Sequence, residues 1–307
     1  MLSLWFWRWA HIYSSSLLLS LFAFQRLYVI PVLDRERCRS NLADESCLDS
    51  LKWICWLVML ISGINWLLVI VASITNTGIQ LATLEEVIGL TQFGHLWLFR
   101  SLIGLAIAGG LLHDSLTKRS CAHLDLLCIG LAAVNLGSLA WAGHAGAGSG
   151  SFANFHLLTD LVHLLVSAVW PGGLLPLIIW FFVNPRRREN EPINYAIVRR
   201  FSAISLGTVV ILAVSGLLNT LFMIRRFADF YATSYGQILT GKIIVFLIMI
   251  ALGVQNRRLL KIQHSSETQS MDRSATGRLF RNLCVESALA FVVFGLVGAL
   301  GAIEPPN

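Results

Sequence analysis

His156, Asp160 and His163 stand at i, i+4 and i+7, the spacing that puts three side chains on one face of a helix. At about 1.5 Å per residue, His163 lies roughly 10 Å further along the axis than His156. Gly143-His144-Ala145 precedes this face, and Trp170-Pro171-Gly172-Gly173-Leu174-Leu175-Pro176 follows it. A polar face entering an apolar run is a functional-site hypothesis by default. Imidazole suits Zn, Cu, Fe and Ni, and affinity for a given site peaks at Cu²⁺. Asp160 is open to three roles: a ligand, the acceptor that orients an imidazole, or the counter-charge of Arg100 or Lys242. Charge pairing is the favoured one. A single imidazole near a membrane surface is usually a hydrogen-bonded packing residue. His11, His95, His144, His156 and His163 together, with one carboxylate, weigh towards metal. His11 and His163, on two helices, would equally serve as axial ligands of a b-type haem.

The elements that must position these groups are membrane helices. Of 307 residues, 56% are hydrophobic and 13% charged, where a soluble domain has about 25% charged. Mean hydropathy is +0.69. Eight apolar runs, near 9–33, 52–74, 95–113, 122–142, 156–183, 200–223, 235–258 and 280–302, are long enough to cross a hydrocarbon layer of roughly 30 Å. The expected fold is an all-α integral membrane protein with eight transmembrane helices. The first run is too long for a cleaved signal and has no Ala-x-Ala site after it. The net charge of +6 is carried mainly by alternate loops, as at Arg35, Arg37 and Arg39, at Arg186, Arg187 and Arg188, and at Arg257, Arg258 and Lys261. By the positive-inside rule those loops are cytoplasmic and both termini periplasmic. The basicity therefore reports membrane topology, not nucleic acid.

Topology then sorts the side chains. The five histidines above fall on the outward side. All six cysteines fall at or near the cytoplasmic side, where thiols stay reduced and pack as small apolar groups. Gly236 to Lys242 nearly spells a phosphate-binding loop, but Ile243 replaces the needed hydroxyl and no strand precedes it. No Cys-x-x-Cys and no Ser-His-Asp order is present, and the five methionines are scattered. The chain reads as a non-enzyme. Two patterns recur. Thr91-Gln92-Phe93-Gly94 with Arg100 matches Thr233-Ser234-Tyr235-Gly236 with Lys242, and Arg8-x-x-His11 matches Asp160-x-x-His163. The matching helices are four apart. This predicts two four-helix pseudo-repeats, 1–142 and 143–307, related by an axis along the membrane normal.

At these residues the chain resembles the copper-resistance membrane proteins called CopD or PcoD. The matching signature is Gly143-His144-Ala145, His156, Asp160-x-x-His163 and Trp170-x-Gly172-Gly173-Leu174-x-Pro176. The Arg8-x-x-His11 entry, Asn219 and the tail from Glu304 to Pro306 fit as well. The resemblance implies a bacterial inner-membrane protein of copper resistance and homeostasis, working beside a periplasmic copper carrier of the CopC type. The sequence departs from that pattern at Pro171, where a larger apolar residue is usual, and at His95. The resulting expectation is copper taken at the periplasmic side for transfer across or into the membrane. The ligands would be His11, His144 and His163, with His156 and His95 on the access path. Asp160, Arg100 and Lys242 would line that path, and Trp170 would close the floor. Haem b on the same histidines, or a non-transporting scaffold for the carrier, are the alternatives.

Overall fold

The computed structural model describes residues 2–35, 46–75, 78–117, 122–143, 146, 152–182, 191–265 and 273–306. His144, Cys38 and Cys121 lie outside the described residues. All regular structure among the described residues is helical. Eight helices are long and apolar enough to cross a membrane, as expected. In chain order these are span 1 (Ser3–Asp34), span 2 (Cys47–Ile74), span 3 (Gln92–Thr117), span 4 (Ala122–Ala142), span 5 (Ala153–Phe181), span 6 (Ile193–Met223), span 7 (Ser234–Lys261) and span 8 (Gly277–Leu300). Two short helices, Leu81–Leu90 and Asp229–Ala232, precede spans 3 and 7.

Spans 1 and 5 form the centre. They are 72% and 56% buried, while no other span exceeds 44%. Span 1 packs on spans 2, 4, 5 and 8, and span 5 packs on spans 6, 8, 1 and 4. Spans 3 and 4 are neighbours, as are spans 7 and 8. Each adjacency within the first four spans thus has a counterpart four spans later.

Both central spans are irregular midway, for reasons the sequence supplies. Pro31 has no N–H for the carbonyl of Leu27, and a π-helical turn occupies Gln25–Val29 just before it. Arg200 Nε donates to the Leu27 carbonyl instead. In span 5, Pro171 likewise withholds a donor from Ser167. The chain turns at Trp170–Gly173, and Gly172 N donates to the Ser167 carbonyl at 3.0 Å. The helix resumes at Leu174–Phe182. Gly172 is where span 1 comes closest. Ser20 Oγ donates to the Ala168 carbonyl at 2.6 Å, and a Cβ at Gly172 would overlap that hydroxyl. Span 8 meets span 1 through glycines too: Gly298 lies against Trp9 and Gly301 against Arg8.

Candidate functional site

The heads of spans 3 and 7 are built alike. Thr91 Oγ1 accepts from Gly94 N at 3.0 Å, and Thr233 Oγ1 accepts from Gly236 N at 3.0 Å. Each glycine is required by close approach. A Cβ at Gly94 would overlap the Val87 carbonyl, and one at Gly236 the Asp229 carbonyl. His95 Nε2 donates to Gly89 O at 2.8 Å, and Gln237 Nε2 donates to Tyr231 O at 2.9 Å. His95 is exposed and fixes the turn before span 3. The structure does not bring it to the other histidines.

Inside the first four spans the site is closed. His11 is buried in span 1, and its Nδ1 lies 2.9 Å from the Met59 carbonyl and 3.1 Å from Ser62 Oγ. A carbonyl only accepts, so Nδ1 bears the proton. Arg100 from span 3 donates to Nε2, which uses the remaining lone pair. Asn135 in span 4 steadies the guanidinium, with Oδ1 3.4 Å from Arg100 Nη2 and Nδ2 donating to the Arg100 carbonyl at 3.1 Å. Trp66 meets the imidazole edge-on at 5.7 Å, and the Arg8 guanidinium lies 4.7 Å over the same indole. Gly63 allows this fit, since a Cβ there would stand 3.0 Å from His11 Cε1.

The last four spans repeat the frame with one difference. His163 Nδ1 lies 3.0 Å from Ser215 Oγ in span 6. The Ser215 hydroxyl proton is committed to the Ile211 carbonyl at 2.7 Å. Ser215 therefore accepts, Nδ1 again bears the proton, and Nε2 keeps its lone pair. The His163 ring also hydrogen-bonds the Leu212 carbonyl, as the His11 ring hydrogen-bonds that of Met59. Gly216 flanks the ring as Gly63 flanks His11, with a would-be Cβ 3.2 Å from His163 Cε1. Lys242 is the counterpart of Arg100 and lies within electrostatic reach of both His163 and Asp160. Asn219 Nδ2 donates to Asp160 Oδ1 at 3.1 Å, and Thr159 Oγ1 donates to Asn219 Oδ1 at 2.7 Å. Asp160 Oδ2 would be 3.9 Å from a Cβ on Gly143, so the residue before His144 starts beside this carboxylate. His156 is buried and stacked on Phe222 at 4.6 Å.

The structure thus brings Asp160 to Lys242, and Arg100 to His11. It joins His11 to His163 by no hydrogen bond, ring contact or electrostatic interaction. Among the described residues no three of His, Cys, Asp and Glu converge. In this geometry the Nε2 of His11 is met by the Arg100 guanidinium. Trp170 is buried, edge-on to Phe246 at 6.0 Å. Sequence reading missed Ser62 and Ser215, which orient the two imidazoles. The available signal was a Ser-Gly pair, 62–63 and 215–216, recurring inside two apolar runs.

Comparison with known proteins matches two family models. "Copper resistance protein D-like, N-terminal domain" matches residues 1–154, and "Copper resistance protein D" matches residues 195–300. Copper resistance protein D of Pseudomonas syringae pv. tomato is 27% identical over 226 residues, 72% of this chain and 71% of that protein. Inner membrane protein YebZ of Escherichia coli (strain K12) is 30% identical over 215 residues, 70% of each chain. Copper transport protein CutJ of Bacillus subtilis (strain 168) is 35% identical over 97 residues, 32% of this chain and 18% of that protein. No solved structure matches. The chain belongs to the copper resistance protein D family, with a membrane function in copper resistance.

Proposed function

We propose that this member of the copper resistance protein D family takes copper on the periplasmic side of an inner membrane and passes it across or into the bilayer through its last four spans. Both termini would share that periplasmic side. One observation carries the reading: His163 has its Nδ1 fixed by Ser215 while its Nε2 lone pair stays open. A histidine prepared as a metal ligand looks like this, with one nitrogen held by an outer partner and the other presented. Asp160 stands one turn away, hydrogen-bonded by Asn219, and Gly143 leads from beside it directly into His144. His144 and His163 are accordingly the proposed copper ligands, with Asp160 and Lys242 balancing charge and His156 on the approach. His11 supports the fold. Trp170, at the bend of span 5, bounds the site inwardly.

The test is copper binding to right-side-out spheroplasts and to inverted vesicles. Wild type should bind in spheroplasts, His163→Ala should lose that binding, and His11→Ala should retain it wherever the protein is made. Retention by His163→Ala would end the reading, and binding in inverted vesicles alone would reverse the topology. A periplasmic CopC-type carrier would dock at the exposed Glu85, Glu86 and Glu304. Neutralising all three should slow delivery from the carrier and leave binding of free copper unchanged. Unchanged delivery would remove this docking surface.

A further inference from the structure

A second polar cluster lies in the last four spans, away from the histidines. Glu286 stands near the middle of the helix Arg273–Leu300 and is 2% exposed. Asn256 Nδ2 in span 7 donates to Glu286 Oε1 at 2.6 Å, and Asn282 Nδ2 donates to Asn256 Oδ1 at 3.0 Å. The two amides thus form a directed chain ending on the carboxyl. Beside it is a cavity of about 110 Å³, whose lining includes Trp170, Ser202, Ser205, Asn256, Arg257 and Glu286. Its wall is largely apolar, through residues such as Val198, Phe201, Leu279 and Leu283, and the polar groups gather at Ser205, Asn256 and Glu286; a space of that size beside them has room for water. The Ser205 hydroxyl is buried at the cavity wall, with no hydrogen-bond partner among the described residues. A dry apolar interface has no use for a carboxyl, two amides and an orphan hydroxyl in one place, and ionisable groups at membrane depth mark ion or proton paths.

The charged and titratable surroundings are few. Span 7 brings Arg257, whose Nη1 donates to the Ser202 carbonyl at 3.2 Å. Span 6 brings Tyr195, whose hydroxyl donates to the Leu260 carbonyl at 3.0 Å. Span 1 brings Tyr13, packed on Phe291 and Phe294 nearer the end of span 8. The helix Leu174–Phe182 of span 5 brings none. On span 8 itself Arg281 is exposed and Cys284 half-buried. Among the described residues no second carboxylate accompanies Glu286 in the cavity lining. One carboxyl with amide and hydroxyl neighbours is too sparse a shell for a divalent cation and too hard for a copper ion. It suits a proton and water.

We propose that this cavity is a proton site. Glu286 takes a proton from cavity water onto its carboxylate and returns it, with no other bond made or broken, while Asn256 holds the carboxyl in register. Trp170 lines the cavity. The site is independent of the copper reading, because none of its residues is a proposed copper ligand.

The test uses the full-length protein in native membranes and a hydrophobic carbodiimide, which adds to protonated buried carboxyls. Peptide mass mapping should find the adduct at Glu286. Its rate should fall roughly tenfold per pH unit once the carboxyl is mostly ionised, and sodium should not protect. Glu286→Gln should remove the adduct yet fold, because its amide oxygen still accepts from Asn256. An adduct rate independent of pH would make Glu286 a fixed hydrogen-bonding acid and overturn the proposal. Protection by sodium would overturn it in favour of a metal cation. Should the reagent not reach Glu286, infrared difference spectra on acidification decide. A protonated-carboxyl band present in wild type and missing in Glu286→Gln supports the proposal, and no such difference overturns it.

Discussion

The two sets of four spans hold an imidazole the same way and surround it differently. In each, a serine on the next span contacts Nδ1 of the histidine, and a glycine one residue later clears room for the ring. In the first set Arg100 fills the remaining Nε2, Asn135 grips the guanidinium, and Arg8 stands nearby over Trp66. In the second set Lys242 replaces Arg100, and Asp160 with Asn219 stands where Arg8 and Trp66 stand. A guanidinium is a rigid fork that commits its donors, whereas an ammonium is a compact charge on a flexible stem. Swapping one for the other leaves the Nε2 lone pair of His163 open. The lesson is that a duplicated frame need not duplicate a site. In the proposed reading one copy holds the bundle together and the other binds.

The strongest way to break this comparison is to exchange the cations. Lys242→Arg should let a guanidinium cap His163 as Arg100 caps His11. Copper binding by the purified protein should weaken by about 10- to 100-fold, the range for changes that retune a metal-binding imidazole. Arg100→Lys should free His11 and raise the bound copper per chain. Equilibrium copper titration reads both affinity and stoichiometry. Unchanged affinity in Lys242→Arg would mean that the cation does not decide which imidazole is open.

A smaller effect sharpens the comparison at the serines. Ser215→Ala removes one of the two acceptors of the His163 ring and leaves the Leu212 carbonyl, so copper affinity should fall by no more than about tenfold. Ser62→Ala should leave copper binding alone and cost about 0.5–1.5 kcal/mol of stability, because the Met59 carbonyl still accepts from His11. In every variant that binds, copper should be released on acidification, since a proton on Nε2 displaces the metal. Equal copper losses in the two serine variants would make both imidazoles ligands.

Much of this was legible in the sequence, and the rest was not for a definite reason. Eight spans follow from apolar run length alone, and the heads of spans 3 and 7 announce themselves through Thr91 to Gly94 and Thr233 to Gly236. Helical spacing also put Asp160 and His163 on one face. Spacing reports a face, however, and not the neighbour it meets. His11 finds Met59 and Arg100, 48 and 89 residues away, through tertiary packing. Ser62 and Ser215 sit in apolar runs where small residues ordinarily mark close helix packing. The short helix Leu81–Leu90 was hidden in what reads as a polar loop.

The smallest expected effect concerns His95, whose outward position recommended it as an access residue. Its Nε2 bonds the Gly89 carbonyl six residues back, and Gln237 bonds the Tyr231 carbonyl six residues back at nearly the same length. A carbonyl oxygen can only accept, so the imidazole acts there as a donor, and an amide does the same work in the other half. His95→Gln should therefore change stability by no more than about 0.5 kcal/mol, as surface substitutions that keep their contacts do. Copper binding should be unaltered. His95→Ala should lose about 0.5–1.5 kcal/mol, the usual worth of one such bond, again without touching copper. Thermal unfolding in detergent reads the first quantity and copper titration the second. A drop in copper affinity for His95→Gln at unchanged stability would return His95 to the path and give the first four spans a binding role of their own.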